Sequence, residues 1–423
     1  MRARSTTHGH VRNTIGGITR ADFLGLIGAA GFALLGRTLS AQTDAERRIA
    51  DVIRAYDVQG FHRTATDVDH ASAQWLVEQV AEAGAKAGLE PFTLQRVDVT
   101  TAFVEAGSQR ADGLPLFDGA FTNAKGIEGT LGPGGSSASI ILTSLDPAAI
   151  SSEGRSIAAL RRSPTTRAIV AITKGAHAGL IPTNAVDFTA PYGVPVLQVG
   201  SEHESWLSDA AAAGRRVTLV AAASRTAATA NNVITRVEGE RADLPPVVVI
   251  TPRSGWWHCA SERGGGIACW LEAIRTAATA TAPRPVWFLA SSGHELGHLG
   301  LDHFLDQRQA LVKSAAAWMH LGANIGAARG LARLQVSDDA IAAMAASALK
   351  QSGAALDRQV PRGTVPAGEA RNIHLGGGRY VSLLGTAQLF HSVADRFPDA
   401  VDVPGVSRYA AAVAALLFRL RQA

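Results

Sequence analysis

The stretch PVWFLASSGHELGHLGLDHF, residues 285–304, admits two readings, and the choice between them decides the fold. Read as a helix, His294-Glu295-Leu296-Gly297-His298 is H-E-x-x-H, with two histidines one turn apart to grip zinc and a glutamate to activate water. Read from its left, PVWFLA is a strand, Ser291-Ser292-Gly293 a loop, and His294 and Glu295 stand at the carboxyl end of that strand. The second reading is preferred, because the helical motif lacks its third ligand. The longer form H-E-x-x-H-x-x-G-x-x-H fails by one residue, with Gly300 and His303 in place, and that slip turns His303 by about 100° around a helix. No glutamate follows Glu295 until Glu369, so the glutamate-liganded variant has no nearby candidate. His298 and His303 then read as helix-surface or packing residues.

The flanking sequence supports a strand. NNVITRVEG (231–239) and VVVIT (247–251) are β-like, IACWLEAIRTAATA (267–280) is helical, and PVWFLA is followed by a helix through LGLDHFLDQRQALV (299–312). AAAWMHLG (315–322) comes next, and SRYAAAVAALLFRL (407–420) closes the chain as an amphipathic helix. Apolar strands alternating with helices predict an α/β fold, a mostly parallel sheet flanked by helices, with its chemistry at the carboxyl ends of the strands. Upstream, AERRIADVIRAYD (45–57) and ASAQWLVEQVAEAGAKAGL (71–89) have helical periodicity, and PFTLQRVDVT (91–100) alternates as a strand does. From 101 to 227 the texture changes to short β-like runs separated by glycine, proline and serine, predicting a smaller β-rich domain inserted into a main domain of 42–100 and 228–423.

Residues 1–41 read separately. A basic start, the apolar segment ADFLGLIGAAGFALLG and small residues before Ala41 describe an export signal, with TRADFLGL resembling a twin-arginine signal that lacks one arginine. The expected location is periplasmic or secreted, without stable membrane insertion after signal removal; an uncleaved anchor is the alternative. This segment holds five arginines and one aspartate of the 40 basic and 36 acidic residues, leaving 35 of each in the remainder. A neutral remainder has no electrostatic footprint for nucleic acid. The two cysteines, Cys259 and Cys269, are too few for a disulfide framework or a four-thiolate zinc site, and Cys269 falls on the buried side of a helix.

With the strand-end reading in place, WFLASSGHELGHLGLDHF resembles the Glu-Glu-x-Gly-x-x-Gly segment of a zinc exopeptidase family that includes secreted bacterial aminopeptidases and glutamate carboxypeptidase-like enzymes. NNVITRVEGERADLPPVVVIT is similar to the lead-in to that family's first metal strand, SERGGGIACWLEA to its Asp-Asn-x-x-Gly turn, and LFHSVADRFPDAVD to its final histidine segment. The insert resembles a protease-associated domain. The resemblance runs from about residue 45 to the C-terminus. It implies a metal-dependent hydrolase that cleaves a peptide or small amide bond with zinc-activated water. It also implies ligand roles: Glu262 at the bridging aspartate, Glu295 at the second glutamate, and His391, with Asp395 following, at the last histidine. The departures are Pro252-Arg253-Ser254 in place of His-x-Asp, His320 near a later aspartate ligand, and His294 in place of the glutamate base. Histidine can serve as that base near neutral pH, or as a ligand. A remodelled single-metal site is expected; the alternative is a non-catalytic binding protein on the same scaffold.

Overall fold

The computed structural model describes residues 43–147 and 157–423; the expected export signal, 1–41, lies outside them. Two helices open the described chain, α1 (Asp44–Asp57) and α2 (Asp67–Glu82). The Thr66 side chain caps α2 by accepting from the Asp69 amide, and Asp67 and Asp69 place negative charge in its first turn, where the helix dipole favours it. Strand β1 (Ala87–Ala106) follows, then β2 (Gln109–Pro115), β3 (Ile127–Pro133), β4 (Ile140–Leu145), β5 (Ala168–Thr173) and β6 (Val196–Gly200). Helix α3 (Glu204–Ala212) leads into β7 (Arg216–Val237). The predicted limits of the insert, 101 and 227, fall inside β1 and β7, which pair antiparallel from Ala87 with Thr235 to Glu105 with Thr218. Between those strands, β2 to β6 and α3 close on Val104, Leu131, Ile140, Val170, Leu197, Leu207 and Leu219.

The remaining elements are β8 (Val247–Pro252), α4 (Gly265–Thr279), β9 (Val286–Ser291), α5 (Leu299–Asp306), β10 (Ala317–Leu321), β11 (Ala332–Val336), α6 (Asp339–Ser352), β12 (Leu356–Gln359), α7 (Ala370–Leu375), β13 (Tyr380–Gly385) and α8 (Val403–Gln422). One continuous sheet runs β1-β2-β6-β5-β4-β3-β7-β9-β8-β10-β13-β11-β12. Its centre, β9-β8-β10-β13, is parallel, while β7 joins β9 and β11 joins β13 antiparallel. The sheet is thus mixed, parallel where the site lies. Every residue of β8 is buried, as expected for a strand covered on both faces. On one face, Ile274 of α4, Leu349 of α6 and Leu416 of α8 pack over Val247, Val249 and Phe288. On the other, Phe304 of α5 and Ile373 of α7 pack over Val248, Ile250 and Trp318. Each such side chain contributes about 1.5–3 kcal/mol by leaving water.

Helix α8 is long and apolar enough to cross a membrane, yet half of its apolar window is buried, with Val406, Val413, Leu417 and Leu420 packed into the first of these cores. Cys259 and Cys269 are free, buried thiols.

Candidate metal centre at the strand ends

Strands β8, β9 and β10 deliver their next residues to one rim of the sheet. After β9, Gly293 (φ 85°) and Gly297 (φ 88°) adopt left-handed backbone conformations that favour glycine, and His298 (φ 72°) shares them. His294–Leu296 is a single 3₁₀ turn, and α5 starts only at Leu299, so no continuous helix carries the H-E-x-x-H residues. The loop nevertheless folds the two histidines together, their rings 5.1 Å apart.

Glu369, the residue before α7, reaches into the same place. His294 Nδ1 lies 2.8 Å from one of its oxygens and His320 Nε2 3.2 Å from the other. Ligand atoms of His294, His298 and Glu369 all lie within 4.8 Å of one another, the one such group of three among the described residues. His320 also contacts the Ser382 hydroxyl through Nδ1 at 2.8 Å. Its ring rests on glycines: a Cβ at Gly322 or Gly368 would come within 2.7 or 2.9 Å of it. His298 Nδ1 meets the Asn372 amide oxygen at 2.9 Å. Burial, then the charge of Arg263, pushes the His294 imidazole down to about 4, so it is neutral at pH 7 and can donate one N–H while offering one lone pair. Burial pushes the Glu369 carboxyl up, but its interactions with His294, His298 and His320 hold it well below its ordinary range. Imidazoles around an ionised carboxylate form a donor set suited to zinc.

The residues singled out by resemblance fall into two groups. His294 and His320 join the Glu369 cluster. Glu262 and His391 meet elsewhere, with Glu262 Oε1 3.4 Å from His391 Nε2. Glu295 joins neither group. One of its oxygens accepts from the Thr64 amide and hydroxyl, both at 2.7 Å, and the other from the Ser254 hydroxyl at 2.7 Å. Ser254 in turn accepts from the Gly293 and His294 amides, fixing the turn. Glu262, Glu295 and His391 therefore do not converge as one ligand set. The physical reason is local neutralisation: Arg263 Nη2 lies 2.8 Å from Glu262 Oε1, while neutral donors satisfy Glu295. Burial raises the Glu262 carboxyl, and the charges of Arg263 and His391 more than reverse this. Asp395 holds the Glu262 turn by accepting from the Ser261 and Glu262 amides at 2.8 and 2.9 Å.

Pro252 offers no ligand, and Arg253 turns away to Asp69, 2.8 Å from Nη1 to Oδ1, with both side chains buried. A two-zinc arrangement across residues 252, 262, 295, 320 and 391 does not fit these side chains. A single ion at His294, His298 and Glu369 does. Beside this rim the segment between β5 and β6 contributes the Pro182 carbonyl to His391 and the Asn184 side chain to Trp256. A cavity of about 380 Å³ opens next to Phe390, which stacks on His391, and is lined also by Lys174, Ile181 and Gln388.

A large central sheet flanked by helices is the architecture of the zinc aminopeptidases. Comparison with solved structures bears this out at the level of the fold. The chain superposes on a zinc aminopeptidase from Bacillus subtilis with a TM-score of 0.70 at 16% identity, covering 89% of this chain and 94% of that one. A peptidase M28 precursor from Shewanella amazonensis gives 0.72 at 13% identity, with 90% and 95% covered. An aminopeptidase from an Aneurinibacillus species gives 0.68 at 14%, also with 90% and 95% covered. No family model and no curated protein matches the sequence.

Proposed function

We propose that this chain is an exported hydrolase of peptide or small amide bonds that works with one metal ion, most suitably zinc, held by His294, His298 and Glu369 with His320 beside them. The observation that carries the reading is the meeting of two histidines and a buried carboxylate, drawn from distant segments, at the carboxyl ends of parallel strands. An ion bound there supplies Lewis acidity and lowers the pKa of water, which suits amide hydrolysis. The chain's own residues do the rest. Glu369 orients the His294 and His320 rings through one oxygen each, and Ser382 and Asn372 fix His320 and His298 from behind. The 182–186 segment of the insert, read as protease-associated-like, lies over the rim and would meet a substrate entering beside Phe390. Export to the periplasm or beyond rests on the basic, apolar and small-residue pattern of residues 1–41.

The second reading, a non-catalytic binding protein, is favoured by one observation: Glu295, beside the position of the implied base, is fully engaged by Thr64 and Ser254. A panel of aminoacyl nitroanilides and N-acyl amides separates the two. The zinc-loaded full chain is expected to cleave at least one member, to stop on addition of a chelator, and to lose this activity in His298→Ala. Failure on every member by protein that holds stoichiometric zinc would leave the binding-protein reading standing.

A further inference from the structure

Glu262 and His391 are two donors left facing each other in the interior. Their side chains are about 1% and 0% exposed, and neither Glu262 Oε1 nor His391 Nε2, 3.4 Å apart, makes a hydrogen bond. His391 Nδ1 lies 2.6 Å from the Pro182 carbonyl, an acceptor only, so Nδ1 carries an N–H that is spent there. Nε2 faces the Glu262 carboxylate. A carbonyl-anchored imidazole beside a buried carboxylate is the pairing that metal sites use, and a buried carboxylate needs a cation nearby. The Cys259 thiol, 3.7 Å from the other Glu262 oxygen, adds a soft donor.

The cation is already present. Arg263, fully buried, brings Nη2 to 2.8 Å from Glu262 Oε1, and its Nε donates to the Ser254 carbonyl at 2.7 Å, which pins the guanidinium in place. We infer that Arg263 is a built-in cation that closes a latent metal site at Glu262 and His391. No ion binds there while the guanidinium remains, and removing it converts the pair into a second site for zinc or cobalt. This does not depend on whether the His294 cluster holds an ion, because the inference concerns a difference in ion count between variants.

The test uses the full-length chain, stripped with chelator and reloaded with zinc or cobalt, with ions counted by elemental analysis and cobalt followed by its visible absorption. Arg263→Ala and Arg263→Met are each expected to bind one more ion per chain than wild type. His391→Ala added to either variant removes the extra ion, His294→Ala does not, and Arg263→Lys, which keeps the charge, stays at the wild-type count. A folded Arg263→Ala or Arg263→Met with the wild-type count overturns the inference. Should neither variant fold, His391→Ala in the wild-type background decides: an unchanged count and affinity support a closed site, and loss of an ion overturns it.

Discussion

Replacing Glu369 by glutamine tests the centre with little change of shape. In wild type, two imidazole nitrogens sit against the two oxygens of one ionised carboxylate, at 2.8 and 3.2 Å. Hydrogen bonds to a charged group contribute about 1.5–3 kcal/mol each. An amide keeps one acceptor and sets its NH₂ against the other histidine, so the metal-free variant is expected to lose about 2–4 kcal/mol. The folded unit spans Asp44–Ala423. At about 2.1 cal/mol/K per residue, its unfolding entropy is about 0.8 kcal/mol/K, and the loss lowers Tm by about 3–5 °C. Metal binding gives the sharper readout. Zinc at a hundred times its Kd stabilises the native chain by about 2.7 kcal/mol, or about 3 °C in Tm.

The assay is scanning calorimetry of chelator-treated protein across a zinc titration. Wild type is expected to rise by about 3 °C and more as zinc increases, whereas Glu369→Gln should rise little over the same range. A variant that retains the full zinc-dependent rise would refute the assignment of Glu369. So would a wild type that binds zinc stoichiometrically in a manner insensitive to this substitution.

Other side chains carry further expectations. His62, buried against Tyr56 with ring centroids 3.7 Å apart, is pushed down to about 3 by burial, so the unfolded chain takes up its proton near pH 6.5 and the native chain does not. Its contribution is complete above pH 6.5 and is lost as pH falls towards 3, by about 1.4 kcal/mol per pH unit; His62→Gln should flatten the urea-unfolding stability profile between pH 6 and 4 by about one proton, and an unchanged slope would exclude this. Asp69→Ala strands the Arg253 guanidinium and is expected to cost about 3–5 kcal/mol, largely recovered in Asp69→Ala with Arg253→Met; additive losses in the double-mutant cycle would count against the pairing. Glu295→Gln is expected to cost about 1–3 kcal/mol in stability through Thr64 and Ser254 while leaving the zinc count unchanged, and loss of bound zinc would return Glu295 to the ligand set.

The strand-end reading of 285–304 was legible because apolar strands buried on both faces read as unbroken runs, and VWFLAS is nearly such a run, with Trp287 alone half-buried. Helix existence along 267–280 and 407–420 followed from periodicity for the same reason. The limits of the insert were not legible, since β1 and β7 continue as strands through 101 and 227, and alternation does not mark where a strand leaves one core for another. Glu369 was missed because it lies 74 residues beyond Glu295 in PAGEARNIHL, with no ligand spacing around it; an acid at the start of a short helical run was the only signal. His298 was set aside as a helix-surface or packing residue because rejecting the H-E-x-x-H helix was assumed to leave it no ligand role. The left-handed turn at Gly297 and His298 removes that assumption and swings the ring to His294. Arg263 stood beside Glu262 in plain view, but adjacency in sequence does not say whether two side chains point the same way. The π-helical turn at Ala260–Gly264 settles that they do.

Charge balance at the rim explains why an ion should choose one cluster over the other. The buried carboxylates near these strand ends differ in what satisfies them. Asp69 and Glu262 pair with Arg253 and Arg263, and Glu295 takes three neutral donors. Glu369 has no arginine partner and is satisfied by imidazoles that are themselves candidate metal ligands. An ion entering at Glu262 must expel a buried guanidinium, leaving a charge without its partner at a cost of several kcal/mol. An ion entering at Glu369 exchanges N–H donors for a cation among the same side chains, with ring rotation or proton release as the only rearrangement. The difference favours the His294, His298 and Glu369 centre without any appeal to how many ions the aminopeptidase fold carries elsewhere.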